Sequence, residues 1–210
     1  MILIADSGST KTDWCYGTET ANCKIVQTEG INPFHQSEEK IRSIIHDELL
    51  PQLDTPLQRC TAIYFYGAGC LPSKTASITQ VLQEYFPSAD IFVETDLLGA
   101  ARALCKDKAG IACILGTGSN SCLYDGEKII RNIPPLGYIL GDEGSGAYLG
   151  KRFIGDCLKG QLPEILQHGL QEKLNLTISE ILDNVYRRPQ ANRFLASLTP
   201  YIYEHKRMPQ

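Results

Sequence analysis

Apolar and polar residues alternate in short blocks at the front of the chain, and the blocks predict strands before helices. Met1 to Ala5 is apolar and meets a tight polar loop, Asp6 to Thr12. Asp13 to Tyr16 and Cys23 to Thr28 then read as strands, so the chain opens as an antiparallel meander. Gly30-Ile31-Asn32-Pro33 breaks it. Ser37 is placed to cap a helix whose first turn holds Glu38 and Glu39, where the helix dipole favours acid. Ile41, Ile44, Ile45 and Leu49 follow at helical spacing. Thr61 to Tyr66 reads as a buried strand that ends at Gly67-Ala68-Gly69. A second helix carries Ile78, Val81, Leu82 and Tyr85 on one face, and Pro87 stops it. Ile91 to Glu94 is a further strand, and Thr95-Asp96 starts a helix that runs through Cys105.

After Gly110 the pattern begins again. Ile111 to Leu115 is a strand, Gly116 to Ser119 a loop, Ser121 to Tyr124 a strand, and Lys128 to Asn132 a strand returning through an Asp125-Gly126 turn. The repeat of strand, Gly/Ser/Thr loop and strand suggests an internal duplication. A glycine-rich segment, Gly141 to Gly150, leads into a helix, and Leu162 to His205 reads as helical. Three meander strands followed by alternating helix and strand describe the ribonuclease H-like half of an actin-type ATPase fold. The expected architecture is α/β, two related domains with a cleft: a first domain over 1–109, and over 110–210 a second one, incomplete, with a helical insertion.

Composition narrows the partners. Of 210 residues, 43% are hydrophobic and 21% charged, ordinary for a globular protein. A net charge of -4, with no basic patch, argues against nucleic acid or an anionic membrane surface. No run approaches the roughly 20 apolar residues that span a bilayer, and no basic segment precedes the short apolar N-terminal run, so a cytoplasmic location is expected. The eight cysteines form no Cys-x-x-Cys pair, and several, Cys113 among them, lie in apolar strand-like runs; they are expected to be reduced and buried. The four histidines have no metal-ligand spacing.

Five segments carry candidate chemistry. In Asp6-Ser7-Gly8-Ser9-Thr10-Lys11-Thr12, a turn of small residues between strands can aim backbone N–H groups and hydroxyls at one anion. Lys11 adds a point charge, and Asp6 can hold a hydrated Mg²⁺; a polar hairpin with a solvated lysine explains the same residues. Gly116-Thr117-Gly118-Ser119-Asn120 offers the same backbone chemistry, or merely a hairpin. Two such loops, one opening each half, make a stronger signal than either. Asp96, where a strand meets a helix, suits a general base and equally an N-cap. Gly141-Asp142-Glu143-Gly144-Ser145-Gly146 permits close backbone approach to a ligand whose hydroxyls Asp142 bonds; a flexible turn with acids at a helix start accounts for it as well. Asn32 stands in a loop that can bond a polyol or simply turn before Pro33. No Walker-type, dinucleotide-binding or nucleophile-elbow motif occurs.

These segments, in this order, resemble the N-acetylglucosamine kinase-like ATPases, grouped with the benzoyl-CoA-reductase activator ATPases in the actin/hexokinase superfamily. The likeness runs from residue 1 to about residue 160. It implies ATP-dependent phosphorylation of a hexosamine, N-acetylglucosamine at its 6-hydroxyl. Asp96 would be the general base, and Asn32, Asn120, Asp142 and Glu143 would bind the sugar. Gly8, Ser9, Thr10 and Lys11 with Thr117, Gly118 and Ser119 would cradle the ATP phosphates, and Asp6 would act through Mg²⁺. The implied partners are a small-molecule sugar and ATP, with a homodimer as the default assembly. Family members continue beyond 210 residues into an adenosine-holding loop and a last helix, so a sugar- or nucleotide-binding remnant without catalysis is a second reading. A third is an ATPase activator of a reductase or dehydratase, which would hold an iron–sulfur cluster on cysteines; here only Cys105 and Cys113 lie near the equivalent region, and they read as core residues.

Overall fold

A computed structural model describes residues 1–8, 10–18, 23–54 and 56–206. Its contacts divide the chain into two units: Met1–Ala112 with Leu123–Ile130, and Cys113–Cys122 with Arg131–Gln210.

The first unit is built on five strands, β1 (Ile2–Ser7), β2 (Lys11–Gly17), β3 (Lys24–Glu29), β4 (Ala62–Gly67) and β5 (Asp90–Thr95), in the order β3-β2-β1-β4-β5. β1, β2 and β3 pair antiparallel, while β4 and β5 join parallel to β1. This is the ribonuclease H-like sheet that the meander and the later alternation predict. The parallel registers align Ser7 with Gly67 and Gly67 with Thr95, so the segments after β1, β4 and β5 leave from one row. In parallel sheets ligands gather beyond these carboxyl ends.

Burial explains the strands. Leu3, Ala5 and Ser7 point into the core, whereas Ile4 is 44% exposed, so only one face of the apolar opening is covered. Trp14, Ile63 and Phe65 join Leu3 and Ala5 in one cluster with Ile41, Ile44, Ile45, Leu49, Ile78, Val81 and Leu82. The helix α1 (Glu38–Ser43) starts at Ser37, whose hydroxyl accepts the Lys40 N–H. It does not continue as a regular helix through Leu49: Ile44–Leu49 widens into a π turn, with the Leu50 N–H bonded to the Ile45 carbonyl. Pro51 follows and has no N–H to extend the ladder. The helix α2 (Ala76–Tyr85) buries Ile78, Val81 and Leu82 as its spacing predicts. The helix α3 (Asp96–Cys105) buries Leu97 and Ala101 and packs on β4 and β5.

The strands β6 (Gly110–Leu115), β7 (Ser119–Tyr124) and β8 (Ile129–Ile133) form a three-stranded sheet in that order. On β6 the residues Ile111, Cys113 and Leu115 face outward, 72% exposed for Ile111. Cys113 and Cys23 are therefore exposed, against the expectation of burial; Cys60, Cys70, Cys122 and Cys157 are buried. An apolar run predicts a strand, and says nothing of whether both faces are covered.

The second unit holds α4 (Gly137–Leu140), α5 (Gly146–Leu158), α6 (Glu164–Leu174), α7 (Ile178–Tyr186), α8 (Ala191–Ala196) and α9 (Thr199–Glu204). Its core includes Ala147, Ile154, Leu170, Ile181, Leu195, Leu198 and Tyr201. A capping box of Thr177 and Glu180 starts α7. No helix among the described residues is long and apolar enough to cross a membrane.

Candidate functional site

The first unit gathers Asp6, Gly8, Thr10, Lys11, Asn32 and Asp96 around the carboxyl ends of β1, β4 and β5. The Gly8 N–H donates to the Lys11 carbonyl at 3.0 Å, which closes the turn between β1 and β2. Thr10 is exposed, and its carbonyl accepts the Gly30 N–H. The Lys11 ammonium lies 2.8 Å from Asp13, in a pair open to solvent. Exposed pairs are worth at most about 1 kcal/mol, so Lys11 can exchange Asp13 for a phosphate at little cost. Ser9 lies outside the described residues.

A buried hydroxyl pair ties this turn to the next loop. Ser7 Oγ and Thr12 Oγ1 are 2.6 Å apart. Ser7 Oγ donates to the Ile31 carbonyl and accepts the Ile31 N–H, both at 2.9 Å; Thr12 Oγ1 also lies 3.2 Å from that N–H. Asn32 follows directly. Its Oδ1 accepts the Phe34 N–H at 2.9 Å, and its own N–H donates to Gln36 Oε1 at 2.8 Å. Its Nδ2 makes no hydrogen bond among the described residues.

Asp96 is the first residue of α3, and the N-cap is Thr95, whose hydroxyl accepts the Leu98 N–H. The capping reading of Asp96 therefore passes to its neighbour, and among the described residues no other residue's side chain bonds the Asp96 carboxyl. Its Oδ1 accepts the Leu97 N–H at 2.8 Å. Burial holds the Asp96 carboxyl above the ordinary aspartate range, the Leu97 N–H opposes this, and the charge of Asp6 adds to it. The Asp6 carboxyl is likewise pushed up, by burial first and then by Asp13, with Lys11 opposing. The Asp6 carboxylate makes no hydrogen bond among the described residues. Oxygen-only groups that repel each other in this way suit a hard divalent cation, which relieves the repulsion.

In the second unit Gly116, Thr117, Gly118, Ser119 and Asn120 meet Asp142. The Gly116 N–H donates to the Gly118 carbonyl at 2.9 Å, closing this turn much as Gly8 closes the first. Asp142 is buried and sits at φ +57°, a conformation that aspartate tolerates better than most residues. Its Oδ1 accepts the Ser119 N–H at 3.2 Å, and a Cβ on Gly118 would stand 3.0 Å from Oδ2. Asp142 thus braces the loop. The Gly146 and Ala147 N–H groups, in the first turn of α5, donate to the Gly116 and Thr117 carbonyls at 2.8 and 3.0 Å. Asn120 Oδ1 accepts the Ser121 N–H and the Asn132 amide, at 2.9 and 2.7 Å. Glu143 is exposed, with no hydrogen bond among the described residues.

Ser7, Thr12, Gln36 and Asn132 take part in these arrangements and were not singled out by the sequence. Ser7 and Thr12 had a signal: both are polar at inward positions of alternating strands. Gln36 and Asn132 had none: Gln36 closes a local turn onto Asn32 that no motif marks, and Asn132 meets Asn120 only across the sheet.

The strand order, the two Gly/Ser/Thr turns and the aspartate at the start of α3 define an α/β protein of the ribonuclease H-like, actin-type class. No family model matches the sequence. A solved structure from Porphyromonas gingivalis, provisionally named an N-acetylglucosamine kinase, is 52% identical; the match covers 100% of this chain and 74% of that one, with a TM-score of 0.96. The N-acetylmuramic acid/N-acetylglucosamine kinase of Clostridium acetobutylicum is 28% identical over 212 residues, 96% of this chain and 69% of that protein. A Chromobacterium violaceum structure with the same provisional name shares the fold, with a TM-score of 0.73 at 20% identity over 99% of this chain and 75% of that one. The chain belongs to the N-acetylglucosamine kinase-like family.

Proposed function

We propose that the protein transfers the γ-phosphoryl group of ATP to the 6-hydroxyl of a hexosamine, N-acetylglucosamine in the first instance. The observation that carries this reading is Asp96: one oxygen fixed by the Leu97 N–H, no side-chain partner among the described residues, and a carboxyl held above its ordinary range by burial and by the charge of Asp6. A base poised closer to neutrality than a free aspartate takes a hydroxyl proton more readily. The names of the P. gingivalis and C. acetobutylicum proteins support the substrate class.

Asp96 accepts the proton of the sugar hydroxyl as its oxygen bonds to the γ-phosphorus. The bond from that phosphorus to the bridging oxygen breaks, and ADP leaves with the electron pair. Phosphoryl transfer asks for positioning and charge neutralisation more than covalent chemistry. Gly8, Ser9, Thr10 and Lys11 receive phosphate oxygens on one loop, and Thr117, Gly118 and Ser119 on the other. The Ser119 N–H is committed to Asp142, so Ser119 contributes its hydroxyl. Asn32, Asn120, Asp142 and Glu143 are assigned to the sugar, with Asp142 acting largely through the loop it braces. Asp6 would hold Mg²⁺, which when bound would supply neutralisation of the phosphate charge.

The test is ADP release with Mg-ATP over a panel of hexoses and hexosamines, beside the P. gingivalis relative. Asp96→Asn should lower kcat by about 10²–10⁴-fold, the usual contribution of a positioned base. Undiminished turnover in that variant would remove Asp96 from its role. Calorimetric sugar binding without ADP production would favour a binding protein over a kinase.

A further inference from the structure

The turn that follows β4 belongs to neither phosphate loop, and the sequence offers it only as a strand terminator. The register places it between the first of them and the start of α3: Gly67 pairs with Ser7 on one side and Thr95 on the other. It is tied to the first loop, because the Ala68 N–H donates to the Ser7 carbonyl at 2.8 Å. The buried Cys70 thiol of the same turn is pushed up to about 12, by burial first and by the Asp96 charge second. Between these contacts Gly69 adopts φ +76° and presses its Cα against the Asn32 side chain. A Cβ there would overlap Asn32 Oδ1 and stand 2.9 Å from its Cγ. Asn32 Oδ1 is the atom that accepts the Phe34 N–H, so the amide is held between that donor and the bare Cα of Gly69.

We infer that Gly69 is a specificity-determining residue for the sugar, acting through Asn32 as a positioning residue. The inference rests on the sugar-kinase reading and adds to it a residue that touches no ligand. Two features of glycine are required at once. The positive φ lets the chain turn sharply after β4. The missing Cβ lets the Asn32 amide settle with its Nδ2 left for a sugar oxygen. Any side chain at position 69 pushes the amide out of that orientation, weakening recognition of the sugar and leaving the phosphate loops where they are.

The experiment is a double-mutant cycle on the full chain, with N-acetylglucosamine binding read by calorimetry and KM for sugar and for ATP read by ADP release. Gly69→Ala should raise the sugar Kd and KM about tenfold, as the loss of one oriented hydrogen bond predicts, with the ATP KM within about twofold of the wild type. Gly160→Ala is the matched control. Gly160 also sits at φ +69°, and a Cβ there meets nothing within 4 Å, so it carries the backbone strain without the push and should leave sugar affinity unchanged. In an Asn32→Ala background Gly69→Ala should add little, because its target is gone. Additive losses, an equal effect on ATP, or an unchanged sugar Kd in Gly69→Ala would each overturn the inference. A wild-type chain that binds no hexosamine would instead remove the substrate reading, and this inference with it.

Discussion

Two glycines in α5 receive the same substitution in different surroundings, and the expected outcomes have opposite sign. At Gly155 a Cβ meets nothing within 4 Å. Gly155→Ala therefore adds helix propensity alone, about 1 kcal/mol of stability. At Gly150 the same Cβ would overlap the Leu195 carbonyl oxygen and stand 2.6 Å from its carbon and 3.3 Å from its Cα. These atoms are the backbone of α8, not the tip of a flexible side chain, and α8 is held by its buried residues Ala191 and Leu195. The helix must retreat as a body, and overpacking of this kind costs about 1–3 kcal/mol or more. The propensity gain is common to both variants, so the difference between them isolates the overlap. Taking about 3 kcal/mol, and about 2–4 °C per kcal/mol for a domain of this size, Gly150→Ala should melt about 6–12 °C below Gly155→Ala. Thermal unfolding without ligand, with urea titration beside it, measures the gap. Variants that melt within about 1 °C of each other would refute the close approach of α5 to α8. The contact also bears on the site, because the first turn of α5 supplies the N–H groups that hold Gly116 and Thr117.

Two further outcomes follow from buried polar groups. Ser7→Ala removes the hydroxyl that meets both the N–H and the carbonyl of Ile31. Leaving those buried groups short of partners costs about 1–3 kcal/mol, so the melting temperature should fall by several degrees; a shift below about 1 °C would contradict the network. Asp96 has a raised folded carboxyl, so its neutral form is the one the fold favours. Stability from it is full below the unfolded aspartate range and is lost as pH rises through the higher folded value. In magnesium-free buffer Asp96→Asn should therefore be more stable than the wild type at pH 7 and no more stable near pH 3, by urea unfolding; a variant less stable at pH 7 would reverse the sign of the argument.

The fold was legible where two signals agreed. The opening meander combined apolar alternation with turn residues, and the strands β1, β2 and β3 lie close to the predicted spans. The helix α2 combined spacing with a proline stop. Where one signal stood alone, the reading drifted. The apolar run containing Cys113 predicted its strand and missed its exposure, because exposure depends on what covers β6. The spacing of Ile41, Ile44, Ile45 and Leu49 put each side chain in the core, yet could not reveal the π turn, since a wider turn changes the hydrogen bonds more than the buried face. Within the site, residues near each other in sequence were found and residues joined by topology were not. Asp142 was read for a ligand, and its Oδ1 is committed to the Ser119 N–H from 23 residues away. Gly69 looked like punctuation because neither its φ nor Asn32 beside it is written in Gly-Ala-Gly.

Three side chains in these segments share one arrangement, and it sets what each can recognise. Asn32 Oδ1 accepts the Phe34 N–H, Asn120 Oδ1 accepts the Ser121 N–H, and Asp96 Oδ1 accepts the Leu97 N–H. A backbone N–H can only donate, so neither amide can be turned over without setting a donor against a donor. The orientation of both asparagines is therefore fixed by chain geometry, and each keeps an NH₂ group for a ligand. Both asparagines are donors toward oxygen lone pairs, while Asp96 keeps an acceptor for a hydroxyl proton. Within the first unit Asn32 and Asp96 thus offer a donor and an acceptor, the two kinds of partner that the polyol of the proposed reaction would need. Because each side chain is pinned by one atom before any ligand arrives, little rotamer entropy is left to lose on binding. This is the economy that a site built from loops requires, and it explains why the pinning N–H lies one or two residues further along the chain in all three cases.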